Sequence, residues 1–392
     1  MAEFAGYHKR KFHHNGPMEM NPIQSKKKGI AIWAVTPGGG RVAASIASRL
    51  PDATLHVSAA LPLEMDNARR FGRLSETLRG CFGDYAGHIF VMAAGIVVRA
   101  IAPLIQNKTV DPAVVVVDEA GRHAISLISG HIGGANRLAE TVAGLIGAAP
   151  VITTATDVSG VPAIDAVAAE AGWGIENPDA IKGVNMALLT RKAVSIFDPH
   201  GLLRGKLPRT LIRDAPDAGY LLTHDGPGVY VDDLQVDLSP RILILRPRWL
   251  SAGMGCNRDT PVHEMRALLL ETLAAHRLSP ASLERIASID AKSDEAGLLA
   301  LAGELGLPID FFDRDRLDRA KGVQTPSAMV EKHMGTQSVC EAAAILASGN
   351  GTLIVPKQRT RNVTVAIARR NWPSSASGPA APTTSPDGPG KF

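Results

Sequence analysis

Gly29-Ile30-Ala31-Ile32-Trp33-Ala34-Val35 is followed by Thr36-Pro37-Gly38-Gly39-Gly40 and then by Arg41 to Leu50, in which Val42, Ile46 and Leu50 share one helical face. A short apolar run bounded by a Pro/Gly cluster reads as a buried strand, and the i, i+4, i+8 spacing after it reads as a helix. The unit is a β-loop-α element. Similar apolar runs recur at His88 to Met92, Ala113 to Val117 and Val151-Ile152, with helical patterns at Ile96 to Leu104 and Ala135 to Ile146 between them. That alternation predicts an α/β sheet with at least some parallel strands.

Beyond Val161 the pattern loosens. A helix is expected at Pro178 to Leu189, short strands at Ala193 to Phe197 and Tyr220 to Leu222, and polar turns between them. After Pro247 regularity returns: a strand at Trp249 to Gly253, a glycine turn, and a helix over Pro261 to Ala275 with Thr260 as N-cap. Further strands are expected at Arg285 to Ser288, Pro308 to Phe312, Thr352 to Val355 and Val363 to Ala368, and helices at Glu295 to Leu305 and Ser338 to Leu346. The fold class is therefore α/β, with two α/β domains of mixed or largely parallel sheets joined by a smaller connecting region. The expected division is a flexible basic tail over 1–28, an N-terminal α/β domain over 29–160 that carries a Gly-rich substrate loop, and a connecting subdomain over 161–246. A C-terminal α/β domain over 247–370 and a disordered Pro/Ser/Gly/Ala-rich tail over 371–392 complete it.

The chain has 392 residues, 45% hydrophobic and 20% charged, enough to bury large cores. The formal net charge of +4 comes partly from the His- and Lys-rich first 28 residues, and aromatics make up only 4%. A basic face interleaved with aromatics is thus missing, which argues against nucleic acid. Cys81, Cys256 and Cys340 are far apart and show no CxxC spacing, so neither a disulfide framework nor a cysteine zinc site is expected. With no signal-peptide core and no run of about 18 apolar residues, the expected location is the cytoplasm, away from membranes.

The richest constellation is Ser126-Leu127-Ile128-Ser129-Gly130-His131-Ile132-Gly133-Gly134-Ala135-Asn136-Arg137, a strand ending in glycines before a helix. Free N–H groups at a helix start attract anions, although the glycines could equally serve only a tight turn. Ser129, His131, Asn136 and Arg137 add polar groups. His131 is either a proton-transfer group or a structural histidine. Arg99 and Lys108 are cations near an otherwise apolar segment, and read as a solvated face, as partners of Asp111 or as substrate contacts. Thr153-Thr154-Ala155-Thr156-Asp157 follows a strand, where open α/β sheets place ligand loops, and Asp157 reads as a base or as a cap. Gly38-Gly39-Gly40 matches neither nucleotide-binding glycine pattern, and Cys256 lacks a nearby histidine to activate it.

Taken together, Gly95-Ile96-Val97-Val98-Arg99, Asp111-Pro112-Ala113-Val114, the segment from Ser126 to Asn136, and Val151 to Asp157 resemble the cobalamin biosynthesis protein G family, the cobalt-precorrin-5A hydrolases. The C-terminal half is similar too, at Ala252-Gly253-Met254-Gly255-Cys256, Ile289 to Leu298, Gln337 to Ala344 and Leu353-Ile354-Val355-Pro356-Lys357. The likeness spans about Gly29 to Arg369. It departs at Glu331 to Thr336, where a smoother apolar approach to the glycine is usual, and at Met254, where Ile is common.

The resemblance implies an enzyme of the anaerobic corrin route that opens the ring A δ-lactone of a cobalt-containing tetrapyrrole and expels a two-carbon fragment as acetaldehyde, giving cobalt-precorrin-5B. Cobalt then belongs to the substrate, so neither a cofactor nor a protein metal site is expected, and His56, His88, His123 and His263 read as structural. His131 or Asp157 would be the catalytic base, with the amides of Gly133 to Asn136 facing the oxyanion. Substrate contacts are expected from Arg99, Lys108, Ser129, Gly130, Gly133, Gly134, Asn136, Arg137, Thr154, Lys292 and Lys357, with Arg122 as a further cation for carboxylate arms. Expected partners are the tetrapyrrole itself, neighbouring methyltransferases in transient contact, and in a homo-oligomer a second copy. The rival readings are a non-catalytic corrinoid carrier and a nucleotide-dependent enzyme using Gly38 to Gly40.

Overall fold

Strand β1 (Lys28–Ala34) decides the architecture because both of its faces are buried. Ala31 and Trp33 join one apolar cluster, Ile32 and Ala34 another, as the two-residue strand period requires when helices cover both sides. The structure, a computed structural model, describes residues 28–62, 67–107, 110–155, 159–325 and 339–371. The expected tails, together with Lys108 and Asp157, lie outside the described residues apart from Lys28 and Asn371.

The first unit comprises β1, α1 (Pro37–Ala47), β2 (Thr54–Ser58), β3 (Arg69–Phe71), α2 (Leu74–Cys81), β4 (Tyr85–Val91), α3 (Ala94–Ile101), β5 (Ala113–Val117), β6 (His123–Ile128), α4 (Ala135–Ile146) and β7 (Ala149–Val151). Its sheet runs β3-β2-β1-β4-β5-β6-β7. Helices α1 and α4 cover one face through Ala43, Ile46, Ala139 and Val142, whereas Leu78 of α2 and Val97 of α3 cover the other. Every neighbouring pair is parallel except β5 and β6, where Val114 lies opposite Ile128. The carboxyl end of β6 therefore sits on the edge where β1, β4 and β5 begin. Strand β7 runs parallel to β6, so Thr153 and Thr154 share that edge. The switch point between β1 and β4, with Gly38 to Gly40, lies on the opposite edge.

The connecting region is more regular than its sequence suggests. It holds α5 (Ile164–Glu170), β8 (Gly174–Ile175), α6 (Ile181–Leu189), β9 (Val194–Phe197), β10 (Ile212–Asp214), α7 (Ala218–Leu222), β11 (Gly228–Val231) and β12 (Ile242–Arg246). Its own sheet runs β10-β9-β11-β12-β8. Tyr220 to Leu222, expected as a strand, is helical because the Asp217 carboxylate caps the Tyr220 amide at 2.8 Å.

The third unit contains β13 (Leu250–Cys256), α8 (Val262–Ala275), β14 (Leu283–Ile289), α9 (Ala296–Leu305), β15 (Ile309–Phe312), α10 (Arg314–Asp318), α11 (Val339–Ala347), β16 (Thr352–Arg359) and β17 (Val363–Arg369), in the order β15-β14-β13-β17-β16. Two expectations fail here. Thr260 does not cap α8: its hydroxyl donates to the Asn257 carbonyl at 2.8 Å, and Pro261 takes the cap position without a side-chain bond. Gly255 belongs to β13, which continues to Cys256 where a glycine turn was expected after Gly253. Gly253 is required by contact, since a Cβ there would stand 1.9 Å from the Cys340 oxygen and 2.5 Å from the Ala344 nitrogen of α11.

One apolar core runs through the second and third sheets. At their junction the buried Asp233 carboxylate accepts from Trp249 Nε1 at 2.6 Å and from Arg369 Nε and Nη2 at 2.7 Å each. No described helix is long and apolar enough to cross a membrane. Gly253→Ala should lower stability by about 3 kcal/mol or more, because the obstructing atoms are backbone. Gly303→Ala, in α9 where a Cβ meets nothing within 4 Å, should be neutral or stabilising by up to about 1 kcal/mol. Denaturant midpoints of the two variants test the contrast.

Candidate active site at the glycine turn

Leaving β6, the chain reverses within a few residues to enter α4, and this forces unusual backbone. Ser129 has φ +60° and Gly134 φ +84°; the left-handed region is comfortable for glycine and strained for serine. Gly133 is needed for a different reason, because a Cβ would stand 2.3 Å from Ser129 Cβ and 3.2 Å from the Asp111 carbonyl. Gly130 packs in the same way against the Asn136 side chain.

The turn closes on its own amides. Gly134 N–H donates to His131 O, Ala135 N–H to Ser129 O and Asn136 N–H to Gly130 O, each at 3.0 Å. The expected row of free donors from Gly133 to Asn136 is therefore mostly occupied, since a buried N–H takes the nearest carbonyl. Of that set, the Gly133 amide is the one left without a hydrogen-bond partner among the described residues. Asn136 is not a surface contact either. Buried, it accepts from Ser126 Oγ at 2.6 Å and donates through Nδ2 to Thr154 Oγ1 at 3.0 Å, bracing β6, α4 and the segment after β7. Ser129 Oγ is buried with no partner among the described residues.

His131 emerges from this brace toward α5. Its Nδ1 is 3.6 Å from Asp165 Oδ2, with side-chain exposures of 14% and 6%. Asn185 Nδ2 donates to Asp165 Oδ1 at 2.7 Å, and Asn185 Oδ1 accepts the Ile164 amide at 2.9 Å. Burial pushes the Asp165 carboxyl up, but hydrogen bonding from His131 and Asn185 and the His131 charge outweigh it and hold the group below its ordinary value. Asp165 is thus an ionised, fixed partner for the imidazole. Nothing local in Ala163-Ile164-Asp165-Ala166 announced it, because an acid in a first helical turn ordinarily reads as a dipole contact.

Two exposed cations, Arg137 at the turn and Arg99 on α3, have no carboxylate partner among the described residues. Arg137 is exposed in the first turn of α4, its Nη2 3.8 Å from the place a Cβ on Gly134 would take. The exposed Arg99 does not pair with Asp111 but donates from Nη1 to the Gly95 carbonyl at 3.1 Å; the Asp111 carboxylate accepts the Gln106 amide instead. Arg122 stands 3.8 Å from Asp118. In the third unit Lys292 is held by Glu295 at 3.3 Å, and Lys357 of β16 by the Thr325 carbonyl at 3.3 Å.

The rival sites have little to offer. At Gly38 to Gly40, Thr36 caps the Gly39 amide, the Gly40 amide bonds to Thr36 O, and the Glu119 carboxylate stands 3.5 Å from where a Gly38 Cβ would be, so that helix start already faces an anion. Burial pushes the Cys256 thiol up to about 11, which disfavours a thiolate nucleophile. His56 and His88 lie in an aromatic cluster with Trp33, whose Nε1 donates to His88 Nδ1 at 3.0 Å. His123 pairs with Asp118 on the surface.

Three family models match in chain order: Cobalamin synthesis G N-terminal over residues 76–157, Cobalamin biosynthesis central region over 162–247 and Cobalamin synthesis G C-terminus over 250–368. The chain is 35% identical to a cobalt-precorrin-5A hydrolase of Salmonella typhimurium over 89% of its own length and 99% of that protein. It is 33% identical to a cobalt-precorrin-5A hydrolase of Priestia megaterium, covering 76% of this chain and 82% of that one. A crystal structure of CobE, a protein from the cobalamin (vitamin B12) biosynthetic pathway, is 40% identical over 31% of this chain and 91% of that chain, with a TM-score of 0.30. Three models in order and identity across nearly the whole of a full-length relative establish that the chain belongs to the cobalamin synthesis G family.

Proposed function

We propose that the chain is a cobalt-precorrin-5A hydrolase of cobalamin biosynthesis that opens the ring A δ-lactone of that substrate and releases acetaldehyde, with His131 as the base at the glycine turn. The observation that carries the residue assignment is the pairing of His131 with the buried Asp165, backed by Asn185 and mounted on a strained and cross-braced turn. A carboxylate facing Nδ1 favours the tautomer with its proton there, leaving Nε2 as the basic nitrogen. Nε2 takes a proton from water as the water adds to the lactone carbonyl, and Asp165 stabilises the imidazolium. The Gly133 amide supplies the hydrogen bond to the oxyanion. Collapse breaks the acyl C–O bond, and the departing ring oxygen takes the proton from the His131 imidazolium, which opens the ring and returns the imidazole to its basic form. Removal of a hydroxyl proton by the same base then lets the carbon–carbon bond break toward the conjugated macrocycle, and the two-carbon unit leaves as acetaldehyde.

Cobalt enters as part of the substrate, and no protein-held cofactor takes part. Arg137 and Arg99, without carboxylate partners among the described residues, bind the carboxylate arms, with Lys108, Lys292 and Lys357 as further cations that the proposal assigns to substrate. Asp157 is the second base that the proposal admits. Hand-over of the product to neighbouring methyltransferases of the route would be by transient contact in the cytoplasm.

Anaerobic incubation of purified protein with cobalt-precorrin-5A, with acetaldehyde trapped and quantified, tests the reading. His131→Ala should lower kcat by about 10²–10⁴-fold. Asp165→Asn should lower it by about 10–100-fold, the worth of a charged hydrogen bond. Wild-type acetaldehyde release by both His131→Ala and Asp157→Asn would sink the base assignment, and binding without release by the wild-type protein would favour a carrier instead.

Two further outcomes follow. Arg137→Gln should raise KM with kcat retained, the signature of lost uniform binding. The Asp165 carboxyl lies below its ordinary value of 3.8, so its contribution to stability is present above that value and lost as pH falls through the lowered one. The difference in thermal midpoint between wild type and Asp165→Asn should therefore be largest near neutrality and shrink below pH 3.8.

A further inference from the structure

Helix α3 and the 3₁₀ turn that continues it (Ala102–Leu104) are apolar on the side that faces solvent as well as on the side that faces the sheet. Val97, Ala100 and Ile101 are buried in the first core. Ile96, Val98 and Ile105 remain 43%, 47% and 41% exposed, and Ala102 and Pro103 are exposed between them. From Ala94 to Ile105 the single charged side chain is Arg99. A solvent-facing helix normally carries a charged outer face, so a stripe of this kind marks a surface that something covers.

The stripe is continuous with the glycine turn. The residue after Ile105, Gln106, donates its amide to the Asp111 carboxylate at 3.0 and 3.2 Å. The Asp111 carbonyl in turn lies 3.2 Å from the position a Cβ on Gly133 would take. Among the described residues Arg99 stands on the stripe with the Gly95 carbonyl as its partner, and Arg137 stands at the turn with no carboxylate partner. An apolar platform that leads to the turn carrying His131, with two cations available to anions, fits a flat apolar ring fringed by carboxylates.

We infer that the exposed stripe Ile96–Val98–Ile105 of α3 is the platform on which one face of the tetrapyrrole macrocycle lies, with Arg99 taking a side-arm carboxylate and the ring edge reaching His131. This deepens the proposed hydrolase function and rests on it for the identity of the ring. The stripe then sets which macrocycles bind, while the chemistry stays at the turn.

The test uses the full chain carrying Val98→Glu together with Ile105→Glu, which places two anions on the platform, and Leu299→Glu on helix α9 of the third unit as a control on an equally exposed apolar residue. The readouts are KM and kcat with cobalt-precorrin-5A, the Kd of cobalt uroporphyrin III by absorbance titration, circular dichroism for the fold and sedimentation for assembly. The double variant should keep its fold, raise KM and the probe Kd by about tenfold or more, and hold kcat within about twofold, while the control changes none of them. Unchanged KM and Kd in the folded double variant overturn the inference. So does loss of a wild-type dimer with both constants kept, which would assign the stripe to a second copy of the chain. Should the wild type bind the probe and lose it in the double variant yet release no acetaldehyde, the platform stands and the hydrolase reading falls.

Discussion

The antiparallel pairing of β6 with β5 is the constraint on which the site depends. Had β6 run parallel to its neighbour, the glycine turn would have emerged on the edge of the first sheet that holds Gly38 to Gly40 and Glu119. Reversal, with Val114 opposite Ile128, delivers the turn to the other edge. There Thr154 follows β7, Asp111 precedes β5, and Ile132 packs into the core of the second and third sheets. A single change of strand direction thus brings His131 to Asp165.

Reversing so sharply has an energetic cost that the surroundings offset. A serine at φ +60° and a buried hydroxyl without a partner each cost on the order of 1–3 kcal/mol. What holds them is over-determination: three amides closed on carbonyls of the same turn, and an asparagine bonded on both ends of its amide to Ser126 and Thr154. Of the donors that the sequence suggested for an oxyanion, the amides of Gly134, Ala135 and Asn136 serve instead to stiffen the mount of the imidazole, and the Gly133 amide is left for the oxyanion. Precise placement of one base is worth more to a reaction than a row of loosely held donors.

Much of the frame was legible beforehand because it rests on local chemistry. The apolar run from Gly29 to Val35, the five-residue strand at Ala113 to Val117 and the helical spacing after Gly134 each announce their element by periodicity alone. The sheet of the connecting region did not, since strands as short as Ile212 to Asp214 or Gly228 to Val231 are too brief to show a period. Glycine misled at Gly255 because sequence cannot separate a residue chosen for its backbone angle from one chosen to leave room for a neighbouring side chain, here that of Thr364. Asp165 was invisible for a related reason: its meaning lies in His131 and Asn185, which the fold, and not the chain, brings to it. The turn itself was correctly singled out, while the role of its amides depended on hydrogen bonds that only a closed backbone defines.

The same pair that forms the base also joins parts of the molecule. The second and third sheets share one apolar core and are clamped where Asp233 holds Trp249 and Arg369. The first sheet meets that body at Ile132 and at the contact of His131 with Asp165. Separating them there would leave an ionised carboxylate without the imidazole that offsets its burial, a state disfavoured by the same physics that keeps Asp165 charged. Seating of the turn on α5 and readiness of the base are therefore one condition. A chain in which the first sheet was folded but not seated would have the histidine and lack the group that gives it its tautomer.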